Sequence, residues 1–288
     1  MAFTTLIDAA ALRELVGKPA TAVIDCRFDL ADPGSGRRAY LAGHIPGARH
    51  ADLNQDLSGP VTAGSGRHPL PAPAELAATL QRLGIRQNFQ VVAYDDSAGA
   101  FAARAWWLLR WMGHGSVVVL DGGFKAWVAA GGALESGPGG AEPTPARGAG
   151  QSAPSVDASA VLDAAEVEAR LKEPGFLLVD ARAPERFAGT VEPIDAVAGH
   201  VAGAVNQPFS ANLGADGRFL PAAALQHLWQ MRLAGKNPTQ VAAMCGSGVT
   251  ACHNLLSLEI AGLRGAKLYA GSWSEWIRDP KRPIARGV

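Results

Sequence analysis

Cysteine is scarce: Cys26, Cys245 and Cys252 are the only three in 288 residues. An odd number cannot pair completely, no CxxC occurs and no Cys/His set has zinc spacing. Neither a disulfide framework nor a metal site is expected, and free thiols fit a reducing compartment. Charge of one sign is lacking too, because 26 Lys and Arg balance 26 Asp and Glu. Nucleic-acid and membrane-surface partners normally demand a basic excess, so neither is expected, although a local basic pocket for a small anion remains compatible. No apolar run approaches the roughly 20 residues of a membrane helix. The first residues, Met1 to Asp8, lack a basic segment followed by a long apolar one, so no signal peptide is read. A cytoplasmic protein is expected.

What is present is a core-forming composition, 48% hydrophobic, in a chain longer than one ordinary core holds. The chain also repeats itself once. Ala22-Val23-Ile24-Asp25-Cys26-Arg27 has a counterpart in Leu177-Leu178-Val179-Asp180-Ala181-Arg182, and Gly43-His44-Ile45-Pro46-Gly47-Ala48 in Gly199-His200-Val201-Ala202-Gly203-Ala204. The apolar run Val91 to Tyr94 leads to Asp95, and the run Val241 to Met244 leads to Cys245. Each half then offers another short strand and a Gly-Trp cluster, 121–127 and 270–276. Matching features lie about 150 positions apart, the size of an ordinary domain. Ser136 to Pro154 is rich in Gly, Pro, Ala and Ser and reads as a linker. The expected organisation is a first domain over 1–137, a linker over 138–157 and a second domain over 158–288. Short, continuously apolar strands alternating with helical stretches predict an α/β fold, each domain a parallel sheet flanked by helices. Trp106, Trp107 and Trp111, in a helical stretch, are expected to pack in a core or between domains.

The chemistry concentrates at Cys245-Gly246-Ser247-Gly248-Val249-Thr250-Ala251, after a strand and before a helix. Two glycines let the backbone curl so that successive N–H groups face inward, and the helix start adds its positive end. Such a loop stabilises a thiolate, a persulfide or an anionic substrate, and it falls at the carboxyl end of a strand, where open α/β sheets build their sites. Thr250 is expected to bond the loop and cap the helix. Cys252 is read as unpaired, Cys26 as a strand-end core thiol and His253 as packing or surface. The Asp25/Arg27 and Asp180/Arg182 pairs recur in both halves and are read as structural, as are the turn histidines His44 and His200.

Together these motifs resemble the tandem-domain rhodanese sulfurtransferases. Both halves carry the Gly-His-x-x-Gly-Ala turn, and the end of the chain carries Gly271-Ser272-Trp273-Ser274-Glu275-Trp276. The resemblance implies a catalytically silent first domain, in keeping with Asp95 where the second half has Cys245. The loop Cys-Gly-Ser-Gly-Val-Thr is similar to that of the 3-mercaptopyruvate branch. The thiosulfate branch carries two basic residues where this chain has Gly246 and Ser247. The resemblance therefore implies sulfur transfer from 3-mercaptopyruvate through a Cys245 persulfide, with thiosulfate as the alternative donor. The acceptor would be a small thiol, cyanide or a thioredoxin-like protein, and no metal or organic cofactor is implied. It further implies catalytic roles for Cys245, Ser247 and His68, the last in Arg67-His68-Pro69-Leu70-Pro71. Substrate binding would fall to Arg186, Gly246, Gly248, Val249 and Thr250. An aspartate that supports the histidine in that branch corresponds to Asn54, with Asp52 and Asp56 as neighbouring substitutes. A second substrate arginine of that branch is replaced by Ile194. Cysteine phosphatases share a similar loop, but they need an arginine six positions after the cysteine, where Ala251 stands. A non-catalytic interaction module is disfavoured by the intact cysteine loop.

Overall fold

The computed structural model describes residues 3–139 and 156–287. Most of the expected linker, 140–155, lies outside the described residues. The rest falls into two compact units, one within Met1–Gly59, Pro71–Asp157 and Asp216–Arg218, the other within Pro60–Leu70, Ala158–Ala215 and Phe219–Val288. The segment that carries His68 thus packs with the Cys245 unit although it stands early in the chain.

In the first unit the order is β1 (Leu6–Ile7), α1 (Ala9–Leu15), β2 (Thr21–Asp25), α2 (Ser35–Ala42), β3 (Arg49–His50), α3 (Pro73–Arg82), β4 (Gln90–Tyr94), α4 (Ala102–Trp111), β5 (Val117–Leu120) and α5 (Gly123–Ala129). The sheet runs β1-β5-β4-β2-β3, with every pair parallel. The second unit contains β6 (Val161–Leu162), α6 (Ala164–Arg170), β7 (Leu177–Asp180), α7 (Pro184–Ala188), β8 (His200–Val201), β9 (Val205–Asn206), α8 (Ala222–Leu233), β10 (Val241–Met244), α9 (Thr250–Ile260), β11 (Lys267–Tyr269), α10 (Ser272–Trp276) and β12 (Ile284–Ala285). Its sheet runs β6-β11-β10-β7-β9, again wholly parallel. Strand for strand, the second sheet repeats the first, as the sequence repeat predicts.

The central strands explain the arrangement. All four residues of β10 are buried, as are the last four of β4, which suits strands covered on both faces. In the first unit Ile7, Leu12, Val23, Ile45, Val92, Tyr94, Val118 and Trp127 form one apolar cluster. Leu162, Val167, Leu178, Val201, Met244, Tyr269, Trp273 and Trp276 form its counterpart in the second. Trp106, Trp107 and Trp111 are buried on α4, and the indole N–H of Trp106 donates to the Thr4 carbonyl at 3.0 Å.

Local signals set the helix starts. Asp8 caps α1 by accepting the Ala11 N–H at 2.7 Å. Asp163 caps α6, accepting the Glu166 N–H while Glu166 accepts the Asp163 N–H, each at 2.8 Å. Asp163→Ala is expected to destabilise the protein by about 1 kcal/mol. A urea titration checks this, and an unchanged midpoint would remove the cap from the account.

The duplicated pairs behave as structural parts. Arg27 donates through Nη2 to Asp25 and to the Gly43 carbonyl, and Arg182 donates through Nη2 to Asp180 and to the Gly199 carbonyl. Each guanidinium also lies over an aromatic ring, Phe124 at 4.2 Å and Trp273 at 4.8 Å. His44 bonds the Tyr40 carbonyl and stacks on the Tyr40 ring, and His200 does the same with Phe187. His253 is fully buried, stacked on Phe219 and 3.2 Å from the Asn212 amide, so of packing and surface it is packing.

Candidate active site

Strand β10 delivers Cys245 at its carboxyl end, and the chain curls through Gly246 to Val249 before α9 begins. The Cys245 sulfur accepts the Gly248 N–H at 3.1 Å and the Ser247 N–H at 3.5 Å. Cys245 and Ser247 are both buried, 3% and 5% exposed. Gly248 makes the curl feasible. Its φ is +79°, and a Cβ there would stand 2.4 Å from the Ala270 carbonyl oxygen. Cys252, in the first turn of α9, donates its thiol to the Gly248 carbonyl at 3.3 Å and forms no disulfide. The remaining thiol, Cys26, is a buried strand-end group, and burial together with the nearby Asp25 pushes its pKa well up.

The turn before α10 closes the loop from behind. Trp273 donates its N–H to the Cys245 carbonyl and Ser274 to the Gly246 carbonyl, each at 3.0 Å. Ser272, fully buried at a left-handed φ of +55°, accepts the Cys245 N–H at 3.1 Å and donates to the Tyr269 carbonyl at 2.9 Å. A residue with a Cβ is uncommon in this conformation. The sequence reading missed Ser272. The signal was its alignment with Gly123, which has φ +59° and stands where a Cβ would meet the Asp95 carbonyl at 2.3 Å.

One expectation needs correcting. Thr250 does not cap α9. Val249 occupies the N-cap position with no capping side chain, and Thr250 is the first helical residue. The backbone has already turned helical at Val249, with φ −85° and ψ −65°, so the N-cap lies one residue earlier than the hydroxyl.

Segment 60–70 brings two side chains to this loop. Gly66 is pressed against the turn, where a Cβ would meet the Gly271 carbonyl at 2.4 Å, and Arg67 donates its N–H to Ser274 Oγ at 3.0 Å. His68 follows, buried, with Nδ1 2.7 Å from Ser247 Oγ. Asp52, Asn54 and Asp56 hydrogen-bond within their own loop and to Arg82. Asp52 accepts the N–H groups of Asn54 and Gln55, and Asp56 accepts the Asp52 N–H and pairs with Arg82.

Arg186, from α7, approaches the loop from another side. Its Nε and Nη2 donate to Glu192, and Nη2 also to Asp195 at 3.0 Å. Arg67 donates through Nη1 to the other oxygen of Asp195. Burial raises the Asp195 pKa, opposed by the two arginines, whereas bonds from Arg186 and backbone amides outweigh burial at Glu192 and lower it. The side chain of Ile194 is exposed and its N–H donates to Glu192 at 3.1 Å. Glu192, Asp195 and Arg67 were not singled out in the sequence, although Asp195 adjoins Ile194 and Arg67 adjoins His68.

The matching loop of the first unit has a different occupant. Asp95 accepts the N–H groups of Ser97 and Gly99 at 2.9 Å on one oxygen and those of Phe101 and Ala102 at 2.8 Å on the other. Burial raises its pKa, and these four amides oppose the shift by favouring the ionised form.

Among the described residues, no group of three or more His, Cys, Asp and Glu side chains could hold a metal ion. No helix among them is long and apolar enough to cross a membrane.

Comparison with known proteins matches the profile of the rhodanese-like domain twice, at residues 8–130 and 163–279. A Pseudomonas aeruginosa protein described as a probable 3-mercaptopyruvate sulfurtransferase is 54% identical over all of both chains. The thiosulfate sulfurtransferase of Rattus norvegicus is 33% identical, over 93% of this chain and 90% of its own. Among solved structures, SseA from Escherichia coli, described with the 3-mercaptopyruvate sulfotransferases, superposes with a TM-score of 0.78 at 31% identity, over 95% of this chain and 100% of that one. With two copies of one domain spanning most of its length, and relatives alike from end to end, this chain belongs to the rhodanese-like domain family.

Proposed function

We propose that this protein is a sulfurtransferase that takes sulfur from 3-mercaptopyruvate onto Cys245 and passes it to a thiophilic acceptor. The observation that carries this reading is the Cys245 sulfur under two loop N–H groups, with the Ser247–His68 pair beside it.

The Cys245 thiolate attacks the thiol sulfur of the donor. An S–S bond forms, the donor C–S bond breaks, and its electron pair becomes the enolate of pyruvate. The donor's thiol proton stays on the outer sulfur of the new persulfide. The enolate needs one proton at carbon, and Ser247, relayed by His68, supplies it. The loop amides stabilise negative charge on the sulfur, as inward-facing N–H groups stabilise anions elsewhere. Gly246, Gly248, Val249 and Thr250 shape the space in which the outer sulfur lies, and Arg186 engages the donor carboxylate. In the second half-reaction a small thiol, cyanide in the assay, or a thioredoxin-like protein attacks the outer sulfur and restores the Cys245 thiolate. Three cysteines outside any disulfide suit a reducing cytoplasm. The nucleophile belongs to the second domain, 158–288, and the first, 1–137, lends it His68 from segment 60–70 but has no nucleophile of its own, because Asp95 occupies that place.

Thiosulfate is the competing donor, and the name of the rat relative favours keeping it in view. The two donors differ in what they demand. Sulfite leaves thiosulfate as a stable anion, whereas pyruvate enolate needs a proton. Ser247→Ala keeps the backbone N–H and removes the hydroxyl. It is expected to lower kcat on mercaptopyruvate roughly 100-fold or more, with turnover on thiosulfate far less affected. The paired donor assay checks this. Faster wild-type turnover on thiosulfate, or equal losses on both donors, would reverse the assignment.

A further inference from the structure

We infer that Arg67 is the second arginine of the donor clamp, standing in for the residue that Ile194 replaces, and that with Arg186 it holds the carboxylate of an α-keto acid donor. The inference rests on the mercaptopyruvate reading above.

The geometry is specific about which nitrogens are free. Arg186 spends Nε and Nη2 on Glu192 and Asp195, and Arg67 spends Nη1 on Asp195. Among the described residues, Arg186 Nη1 and Arg67 Nη2 have no hydrogen-bond partner. Both face the same place. A Cβ built on Gly246 would stand 2.8 Å from Arg67 Nη2 and 3.5 Å from Arg186 Nη1. Two unspent guanidinium nitrogens therefore converge on the residue next to the nucleophile, and the missing side chain of Gly246 is what lets them approach it.

The anchor behind them is built. Asp195 has a side chain only 4% exposed and takes one arginine on each oxygen. Glu192, 3% exposed, fixes Arg186 further and also meets Arg182 at 3.4 Å. Held from behind, both guanidiniums lose little further freedom when a substrate carboxylate arrives. The same carboxylates offset the arginine charge, so the site binds by directed N–H donors more than by bulk positive charge. That favours a planar carboxylate with two coplanar acceptor oxygens. The exposed Ile194 side chain can play no such part.

The test is the rate of Cys245 persulfide formation, followed by intact mass in a single turnover, with two donors. One is 3-mercaptopyruvate. The other is mercaptoacetone, which keeps the ketone with its α-thiol and has a methyl group where the carboxylate stands. In Arg67→Ala, loading from subsaturating mercaptopyruvate is expected to fall roughly 10- to 100-fold, the range of a hydrogen bond to a charged group. The loss should appear as a higher half-saturation concentration with the maximal rate little changed. Loading from mercaptoacetone should stay within about threefold, as nothing there engages the arginine. Arg67→Lys keeps the charge for Asp195 and loses the fork. It should fall between wild type and alanine on mercaptopyruvate only, and it carries the test should Arg67→Ala fail to fold. Equal losses on both donors would make Arg67 a mere prop of the loop and overturn the inference, as would no loss on either. A wild-type protein that thiosulfate loads and mercaptopyruvate does not would instead remove the donor reading, and this inference with it.

Discussion

Cys245→Ser is expected to abolish sulfur transfer, lowering turnover by roughly 10⁴-fold or more, because the sulfur that forms the S–S bond is removed. The wild-type protein exposed to donor should gain the mass of one sulfur atom, and the variant should gain nothing. The other two thiols do not confuse this measurement. Cys26 is buried, with its pKa pushed well up by burial and by the carboxylates around it. Cys252 is fully buried and donates to the loop carbonyl of Gly248. Cys26 therefore presents no thiolate to a donor at neutral pH, and the Cys252 thiol is turned to that carbonyl. Loss of the added mass on treatment with cyanide would identify it as sulfane sulfur. Retention of the added mass in Cys245→Ser would sink the assignment of the nucleophile.

Gly248→Ala should be the most damaging small change to the loop. Two separate penalties apply. The φ of +79° is left-handed, which a residue with a Cβ adopts at a loss, and the new methyl would meet the Ala270 carbonyl at 2.4 Å, well inside contact. Together they should destabilise the second unit by about 3 kcal/mol. The Gly248 N–H would also be displaced from the Cys245 sulfur, so activity should fall more than stability alone explains. Gly262→Ala is the comparison. Its φ is +76°, nearly the same, yet no heavy atom lies within 4 Å of the added methyl. It isolates the conformational penalty, about 1 kcal/mol. Urea midpoints of the two variants, read beside their turnover, separate strain from collision. Equal destabilisation would mean that the close approach to Ala270 relaxes freely and the packing argument for Gly248 is wrong.

Much of the architecture could be read from residue order because the same physical pattern occurs twice. Apolar runs such as 91–94 and 241–244, each followed by a helix, suit a parallel sheet covered on both faces, and the two sheets have the same strand order. The equivalence of Asp95 and Cys245 follows from that repeat. The loop glycines were legible for the same local reason, since a tight strand-to-helix curl needs left-handed backbone at Gly248. His68 was legible only through a motif, because its partner Ser247 lies 179 positions away. Arg67, Glu192 and Asp195 were not legible at all. Their meaning depends on three segments meeting at Gly246, which no periodicity encodes. Ser272 was hidden differently. A serine in left-handed backbone breaks the rule that glycine marks such sites, and only the buried bonds of its hydroxyl reveal why it is tolerated. Thr250 misled because the general preference for hydroxyls at helix starts was set one residue late: the backbone turns at Val249.

The four amides closed around Asp95 have a consequence for how the halves could have diverged. A carboxylate offers two oxygens and fills its loop to both ends, whereas a thiol brings one sulfur on a shorter stem. Exchange of Asp95 for cysteine would leave the N–H groups of at least one pair, Ser97 with Gly99 or Phe101 with Ala102, without an acceptor in the protein interior. The path from Asp95 to the start of α4 is also longer than that from Cys245 to the start of α9, so the backbone itself has been retailored around its permanent guest. A lone codon change could not turn the first half back into a sulfur carrier. The ancestral symmetry survives in the sheets and has been lost in the loops, and the way back is barred by unpaired peptide groups rather than by a missing nucleophile.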